Sequence, residues 1–283
     1  MSNLSEKAML VHLRISMSLF HIKDSKVSAE VREGKGAGYD SGNWWTYLIP
    51  KKELEGIVRA AGKCRAAIDS MTLPWNDSGD RILPSELYFD FTQKLRKATD
   101  EYDAEIDKFL KEYPEILQRS QKRLGSLVNT ARFPTIAEVK GKFGHGVDIF
   151  PLPNSEDFRV SLSDDDVKNI KENMEKTIST KVSAAMASVW QELAELVGKI
   201  ESTLSEPDRI FRNTLITNLG DFCHLLPKLN IIQSSELENM RKELVEKLAN
   251  LHPTTLRDNS DVRKKAAKDA KAVLEKMKQY VSV

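Results

Sequence analysis

The sequence contains few of the residues that would tie it to an oxidising compartment or to a membrane. Its 283 residues include only two cysteines, Cys64 and Cys223, too few for a disulfide scaffold or a cysteine zinc site. No apolar run approaches the roughly 18 residues that a membrane-spanning helix requires. The first residues, MSNLSEKAMLVHLRISM, carry an early acidic residue and no small-residue cleavage site, which is unlike a signal peptide. We therefore expect a cytoplasmic protein without a membrane partner.

The chain also lacks a large excess of either charge. Its net charge is +1, with 30% charged and 40% hydrophobic residues. No global field therefore attracts it to nucleic acid or to acidic lipid. The length suffices for a substantial core in one large domain or two ordinary ones.

Helical periodicity dominates the pattern. The stretch after Pro50, KKELEGIVRAAGKCRAAIDSM, predicts a helix of about 20 residues. Apolar residues then step by threes and fours over 86–127, a near-heptad seam that Pro114 should kink or split. Ser163 and Asp166 form a predicted capping box that opens a helix through residue 204, roughly 60 Å long. The two long helices are of similar length, and we expect them to pair with each other, either within one chain or between two chains.

Strand patterns are fewer. Residues 10–16 alternate between apolar and polar side chains, and residues 143–162 predict a β-hairpin around a Pro-Asn-Ser turn. The sequence thus predicts an α+β fold, mainly α, with long antiparallel coiled-coil-like helices on a small three-stranded antiparallel sheet. We expect two domains: residues 1–205, with a helical arm of 86–127 and 164–204, and a helical C-terminal region, 206–283. Helices there should begin at Pro207, Ser235 and Ser260.

The stretch TLPWNDSGDRILP, residues 72–84, is the first candidate site. Asp77 and Asp80 with Arg81 have the chemistry of an acid/base pair or a magnesium site. The sequence Asn-Asp-Ser-Gly is equally typical of a turn in which Gly79 adopts a positive φ. Trp75 would then anchor this turn to the core. The favoured interpretation is a stiff joint between two helices, with a binding role as the alternative.

A second candidate lies in the glycine-rich loop predicted at 32–43. GKGAG, residues 34–38, resembles a phosphate loop but lacks its Lys-Ser/Thr ending, so Lys35 is at most an anion contact. Trp44, Trp45 and Tyr47 follow it and suit base stacking or a protein hot spot. We expect at least one tryptophan in the core and the other at an interface.

The remaining polar residues give no catalytic pattern. The five histidines show no metal-ligand spacing, and Cys223 beside His224 is expected to be a packed cysteine. Eight Lys/Arg against four Asp/Glu between Arg257 and Lys278 indicate a solvated helix face or a phosphate-contacting surface. The sequence predicts no catalytic residue, metal site or cofactor.

Four segments in order resemble an uncharacterised phage and bacterial family with a domain of unknown function. They are LVHLRISM, GAGYDSGNWWTYLIPKKELEGI, TLPWNDSGDRILP and KFGHGVDIFPLPNSEDFRVSL, and the resemblance covers roughly residues 8–165. Trp44 and Trp45 depart from the more polar pattern of the family at that place. The resemblance implies a phage or mobile-element protein of the bacterial host cytoplasm. Members encoded near MoxR-type AAA ATPases and von Willebrand A-type proteins suggest an adaptor beside such an ATPase.

Three functional hypotheses follow. The first is a non-enzymatic scaffold or adaptor that binds itself, a host protein or an ATPase-system protein through its long helices. The second is a phage-encoded nucleic-acid- or nucleotide-binding protein that counters host defence, using Trp44, Trp45, Lys35 and the basic tail. The third is an enzyme that uses Asp77 and Asp80 with a metal.

Overall fold

The computed structural model describes residues 4–127, 133–155, 163–207 and 209–281. The protein is mainly helical with small antiparallel sheets, so the predicted α+β class is confirmed. The described residues form two compact units, one from Met1–His12, Met71–Phe89 and Ile149–Val283, the other from Leu13–Ser70 and Asp90–Asp148. These are called the first and the second unit below. The predicted division at residue 205 does not coincide with this grouping, because residues 164–204 and the helices that follow share one unit.

The strands form two sheets. β1 (Ala8–Ser16), β4 (Leu73–Pro74), β5 (Asp80–Pro84) and β6 (Gly144–Pro151) form a sheet of order β4-β5-β1-β6, and β2 (His21–Asp24) pairs with β3 (Trp44–Tyr47). The predicted strand at 10–16 and the first arm of the predicted hairpin at 143–162 are confirmed as β1 and β6. The second arm of that hairpin falls outside the described residues. The predicted sheet of three strands is wrong, since the described strands form one sheet of four and another of two.

The additional strands come from the stretch at 72–84. The predicted joint between two helices is a β-hairpin, in which Leu73 faces Ile82 across the β4–β5 pair. Pro74 and Pro84 hide the strand pattern in the sequence, because proline disfavours a central strand. β5 nevertheless pairs antiparallel with β1, and its Ile82 and Leu83 are fully buried.

The second unit is built around α4 (Tyr88–Leu124), a helix of 37 residues. Its buried residues follow the predicted seam, which confirms the long helix over this range. Pro114 lies inside α4 and does not split it, so of the two predicted outcomes, a kink or a split, the split is wrong. α3 (Glu55–Asp69), preceded by a 3₁₀ turn (Lys51–Leu54), confirms the helix after Pro50. Short helices complete the unit: α2 (Ser25–Lys35) and α5 (Ile136–Lys140).

Helix α2 was not predicted, and it shortens the predicted loop at 32–43. The side chain of Asp24 accepts a hydrogen bond from the Val27 N–H and begins the helix. Gly36, at φ 61°, ends it by donating its N–H to the carbonyl oxygens of Arg32 and Glu33. Lys35 therefore lies in the last turn of a helix rather than in a loop.

The first unit is organised around α6 (Asp164–Leu204), which begins at the predicted N-cap Ser163. The sequence suggested the 86–127 seam as the partner of α6; the structure instead packs α6 along α10 (Ser260–Val281). Trp190 of α6 and Tyr280 of α10 stack with ring centroids 4.3 Å apart.

α10 begins at the predicted Ser260, but the helix predicted from Pro207 begins at Thr214. The remaining helices are α1 (Leu4–Lys7), α7 (Thr214–Leu229), α8 (Ser235–Leu244), continued by a π-helical turn (Val245–Ala249), and α9 (Pro253–Asp258).

In the described residues, no helix combines the length and apolar character that crossing a membrane requires.

Candidate functional site

The turn of the β4–β5 hairpin is held by Asn76. Its side-chain oxygen accepts hydrogen bonds from the N–H groups of Ser78, at 3.0 Å, and Asp80, at 3.1 Å. Gly79 adopts φ 94°, as the turn chemistry predicted. Trp75 is 8% exposed, so it does fix this turn to the core.

The carboxylate of Asp80 has partners on the hairpin turn and on β1. Its carboxylate accepts a hydrogen bond from Asn76 Nδ2 at 2.7 Å and lies 2.8 Å from His12 Nδ1. The hydrogen bond from Asn76, followed by that with His12, lowers the pKa of Asp80 below its usual value. One oxygen of Asp80 thus accepts from the turn of its own hairpin and the other contacts His12 of β1, which is a structural role.

The other two candidates of the stretch do not join Asp80. Asp77 is exposed at the tip of the turn. Arg81 donates from Nε to Thr72 Oγ1 at 2.6 Å and from Nη2 to the Thr72 carbonyl oxygen at 3.0 Å. Across the described residues, no three or more His, Cys, Asp or Glu side chains come together in a way that could hold a metal ion.

Trp75 instead takes part in a groove of the first unit. Lys181 Nζ lies 4.7 Å from the centroid of the Trp75 ring. The groove measures about 340 Å³ and runs along the first half of α6, where it is lined by Trp75, Pro153, Ile170, Asn173, Met174, Thr177, Ile178 and Lys181. Its walls are therefore mainly apolar, with one cation at the end.

Lys35 and Trp44 come together in a pocket of the second unit. The pocket measures about 230 Å³ and lies between the last turns of α2 and the loop that leads to β3. Arg32 Nη1 donates to the Gly42 carbonyl oxygen at 2.9 Å, and its guanidinium lies 5.0 Å from the ring centroid of Tyr39. The pocket thus combines two cations with an exposed indole ring.

Trp44 and Trp45 lie on opposite faces of β3. Trp44 pairs across the sheet with Asp24, and the backbone N–H of Trp44 donates to Ser28 Oγ of α2 at 2.9 Å. Trp45 pairs with Lys23 on the other face, because side chains alternate along a strand. The two rings are 45% and 49% exposed, so the expectation that one of them lies in the core is wrong. Their adjacency in sequence does not make them one stacking platform.

Both cysteines and one arginine of the basic tail are buried and have structural roles. Both cysteines are buried, as expected for Cys223, and burial raises the pKa of the Cys223 thiol to about 11. In the tail, Arg263 is buried and donates to backbone carbonyl oxygens, and Arg257 donates to the Phe211 carbonyl oxygen. The solvated-face interpretation therefore fails for Arg263, whereas Arg257 is exposed.

Several residues of these sites had no signal in the sequence. His12 and Lys181 lie far along the chain from Asp80 and Trp75, so no spacing rule links them. The position of Arg32 near Lys35 could have been predicted, because Asp24 and Gly36 are recognisable helix caps that define α2.

Comparison with known proteins gives no match: no protein family, no curated protein and no solved structure resembles this chain significantly.

Proposed function

We propose that this chain is a non-enzymatic interaction protein, a scaffold or adaptor, that self-associates through the first half of α6. The observation that carries the proposal is an apolar stripe on that helix, formed by Val167, Ile170, Met174 and Ile178. The spacing of three and four residues places all four on one face. No residue of α6 before Ile178 is buried, so this stripe is only partly covered.

The groove beside the stripe gives the surface its shape. Trp75 and Pro153 form the opposite wall, and the hydrophobic face of a helix would fill the space between them and Met174. Burying these side chains would stabilise a complex, because aromatic and methionine residues are enriched at the centres of protein interfaces. A polar surface helix would not need such a stripe.

Charge favours a second copy of α6 as the occupant. The stripe begins beside three acids, Asp164, Asp165 and Asp166, and ends beside Lys181. Two copies that cross antiparallel would bring the acids of one helix near the lysine of the other. This arrangement supports an isologous, twofold contact, the commonest type in homodimers.

The resemblance to the phage and bacterial family extends the proposal to the setting of the protein. In that setting it is a phage or mobile-element protein of the bacterial cytoplasm, and its further partner belongs to the host or to an AAA-ATPase system. This extension rests on analogy alone and assigns no residue.

Size-exclusion chromatography with light scattering tests self-association. We expect a dimer of the wild-type protein, and a monomer with unchanged circular dichroism for Met174→Glu, because a buried carboxylate without a partner opposes the contact. Glu172→Ala, an exposed change off the stripe, is the matched control and should leave the dimer intact. A wild-type protein that remains a monomer at about 100 µM, a concentration that detects even weak association, contradicts the proposal.

A second function, capture of a small nucleotide, is favoured by the pocket that holds Arg32, Lys35 and Trp44. Its cations suit phosphate groups and its indole suits a base. Thermal shift with mononucleotides and cyclic nucleotides tests it. A rise in Tm that Lys35→Ala abolishes supports this function, and no rise with any nucleotide rules it out.

A further inference from the structure

The outer face of the β2–β3 sheet carries aromatic rings and cations side by side. His21 pairs with Tyr47 and Lys23 pairs with Trp45, so all four side chains leave the same face of the sheet. The opposite face carries Ile22, Asp24, Thr46 and Trp44, of which Asp24 and Thr46 are buried. The outer face is thus the one that the sheet presents to solvent.

The rings of this face form a continuous cluster. The His21 ring lies 5.0 Å from the Trp45 ring and 5.6 Å from the Tyr47 ring, measured between centroids. Lys51 Nζ covers Tyr47 at 4.7 Å from its centroid. Trp45 ends the row and is 49% exposed, which leaves part of its indole surface open for stacking.

Cross-strand aromatic contacts stabilise a two-stranded sheet, which is marginal by itself. That role accounts for His21 against Trp45 and Tyr47. It does not account for the exposed Lys23 opposite Trp45 or for Lys51 at the other end of the row. Neither lysine forms an ion pair with a carboxylate of the described residues.

We propose that this face binds single-stranded nucleic acid, with a base stacked on Trp45 and neighbouring phosphates at Lys23 and Lys51. An unpaired strand supplies both groups at once, an open base and a chain of negative charges, whereas duplex bases are already stacked. The charge complementarity is local to this face. It is therefore compatible with a net charge of +1, which excludes only strong long-range attraction. The proposal is independent of self-association through α6.

Fluorescence anisotropy with a labelled twelve-nucleotide oligothymidylate tests the proposal. We expect Trp45→Ala to weaken binding by about tenfold, in the range found when a stacking ring is removed. The double variant Lys23→Glu, Lys51→Glu should also weaken it and should reduce the slope of log Kobs against log salt by about 1.4, roughly 0.7 per lost phosphate contact. Both lysines are exposed, so this second variant tests the face even if loss of Trp45 disturbs the sheet.

Phe89→Ala is the matched control, since this aromatic ring is 80% exposed and lies on α4, outside the β2–β3 sheet. It should bind the oligonucleotide as the wild-type protein does. Absence of wild-type binding at low salt overturns the proposal, as does equal loss of binding in the Phe89 and Trp45 variants. Equally tight binding of duplex DNA or of an acidic peptide overturns it too, because either result means simple charge attraction without stacking.

Discussion

His12 of β1 holds Asp80 of β5 through a contact of 2.8 Å between Nδ1 and Oδ1, and the two residues also face each other in the strand register. The side chains are 30% and 29% exposed, so water screens the pair only in part. Asp80 resembles a catalytic acid in the sequence, but its neighbours use it to fasten the hairpin onto the sheet.

Replacing Asp80 by Asn is therefore expected to destabilise the protein by about 1.5–3 kcal/mol at pH 7, the range for a lost hydrogen bond to a charged group. The pKa of Asp80 is lowered in the folded chain, so its contribution is complete above the unfolded value of about 3.9. The contribution disappears as the pH falls through the folded pKa. In urea unfolding, the difference in free energy of unfolding between the wild-type protein and Asp80→Asn should therefore decrease from pH 6 towards pH 3.

Asp77→Asn is the control for this experiment, because Asp77 lies exposed at the tip of the same turn. It should leave the free energy of unfolding nearly unchanged at both pH values. If the difference in free energy of unfolding between Asp80→Asn and the wild-type protein stays constant with pH, the carboxylate charge contributes nothing to stability.

Two glycines are expected to respond in opposite directions to the same substitution. Gly79 has φ 94°, which L side chains rarely adopt, so Gly79→Ala should destabilise the protein by about 1–2 kcal/mol. Gly34 lies within α2, and a methyl group added to its Cα would meet open space, so Gly34→Ala should stabilise by up to about 1 kcal/mol. Thermal unfolding of the two variants checks both signs, and a Gly79→Ala protein as stable as wild type would contradict the turn geometry.

The cysteines provide a chemical test of burial. Burial raises the pKa of both thiols, that of Cys223 to about 11, so little thiolate forms at pH 8. A thiol-specific chromogenic disulfide should therefore react with neither cysteine of the folded protein within minutes and with both in guanidinium chloride. Rapid reaction of one native thiol would show that its surroundings open readily.

The long elements could be predicted from the sequence, and the short ones could not. α4, α6 and α10 repeat an apolar period over many turns, so the pattern survives local exceptions such as Pro114. α2 and the β4–β5 hairpin are set by a few local hydrogen bonds, from Val27 N–H to Asp24 and from the N–H groups of Ser78 and Asp80 to Asn76. The identity of the helix that packs on α6 depends on the tertiary fold, which periodicity does not specify.

The candidate sites were predictable only where neighbours in sequence remain neighbours in the fold. Lys35 and Trp44 do line one pocket, because α2 ends just before the loop that leads to β3. Trp45 does not line this pocket, because consecutive side chains of a strand point to opposite faces. The sequence did not predict that residues 44–47 form a strand. Partners that come from remote segments, such as His21 for Trp45, required the structure.

Arg263 is expected to be the most sensitive residue of the basic tail. Its guanidinium donates to four backbone carbonyl oxygens at the end of α6 and in the segment after it, those of Thr203, Leu204, Glu206 and Arg209. Helix C-termini leave such carbonyls without partners, and a planar guanidinium can satisfy several of them at once. Arg263→Met should cost about 3 kcal/mol or more in chemical denaturation, because buried acceptors lose their donors.

The matched variants separate the donor geometry of Arg263 from its charge. Arg263→Lys keeps the charge but not the planar fork, so it should recover only part of the lost stability. Lys264→Met removes an exposed charge from the adjacent residue of α10 and should change the free energy of unfolding by no more than about 0.5 kcal/mol. If Arg263→Lys were as stable as wild type, charge alone would hold the end of α6. If Arg263→Met were as stable, the carbonyl oxygens would be satisfied by other donors.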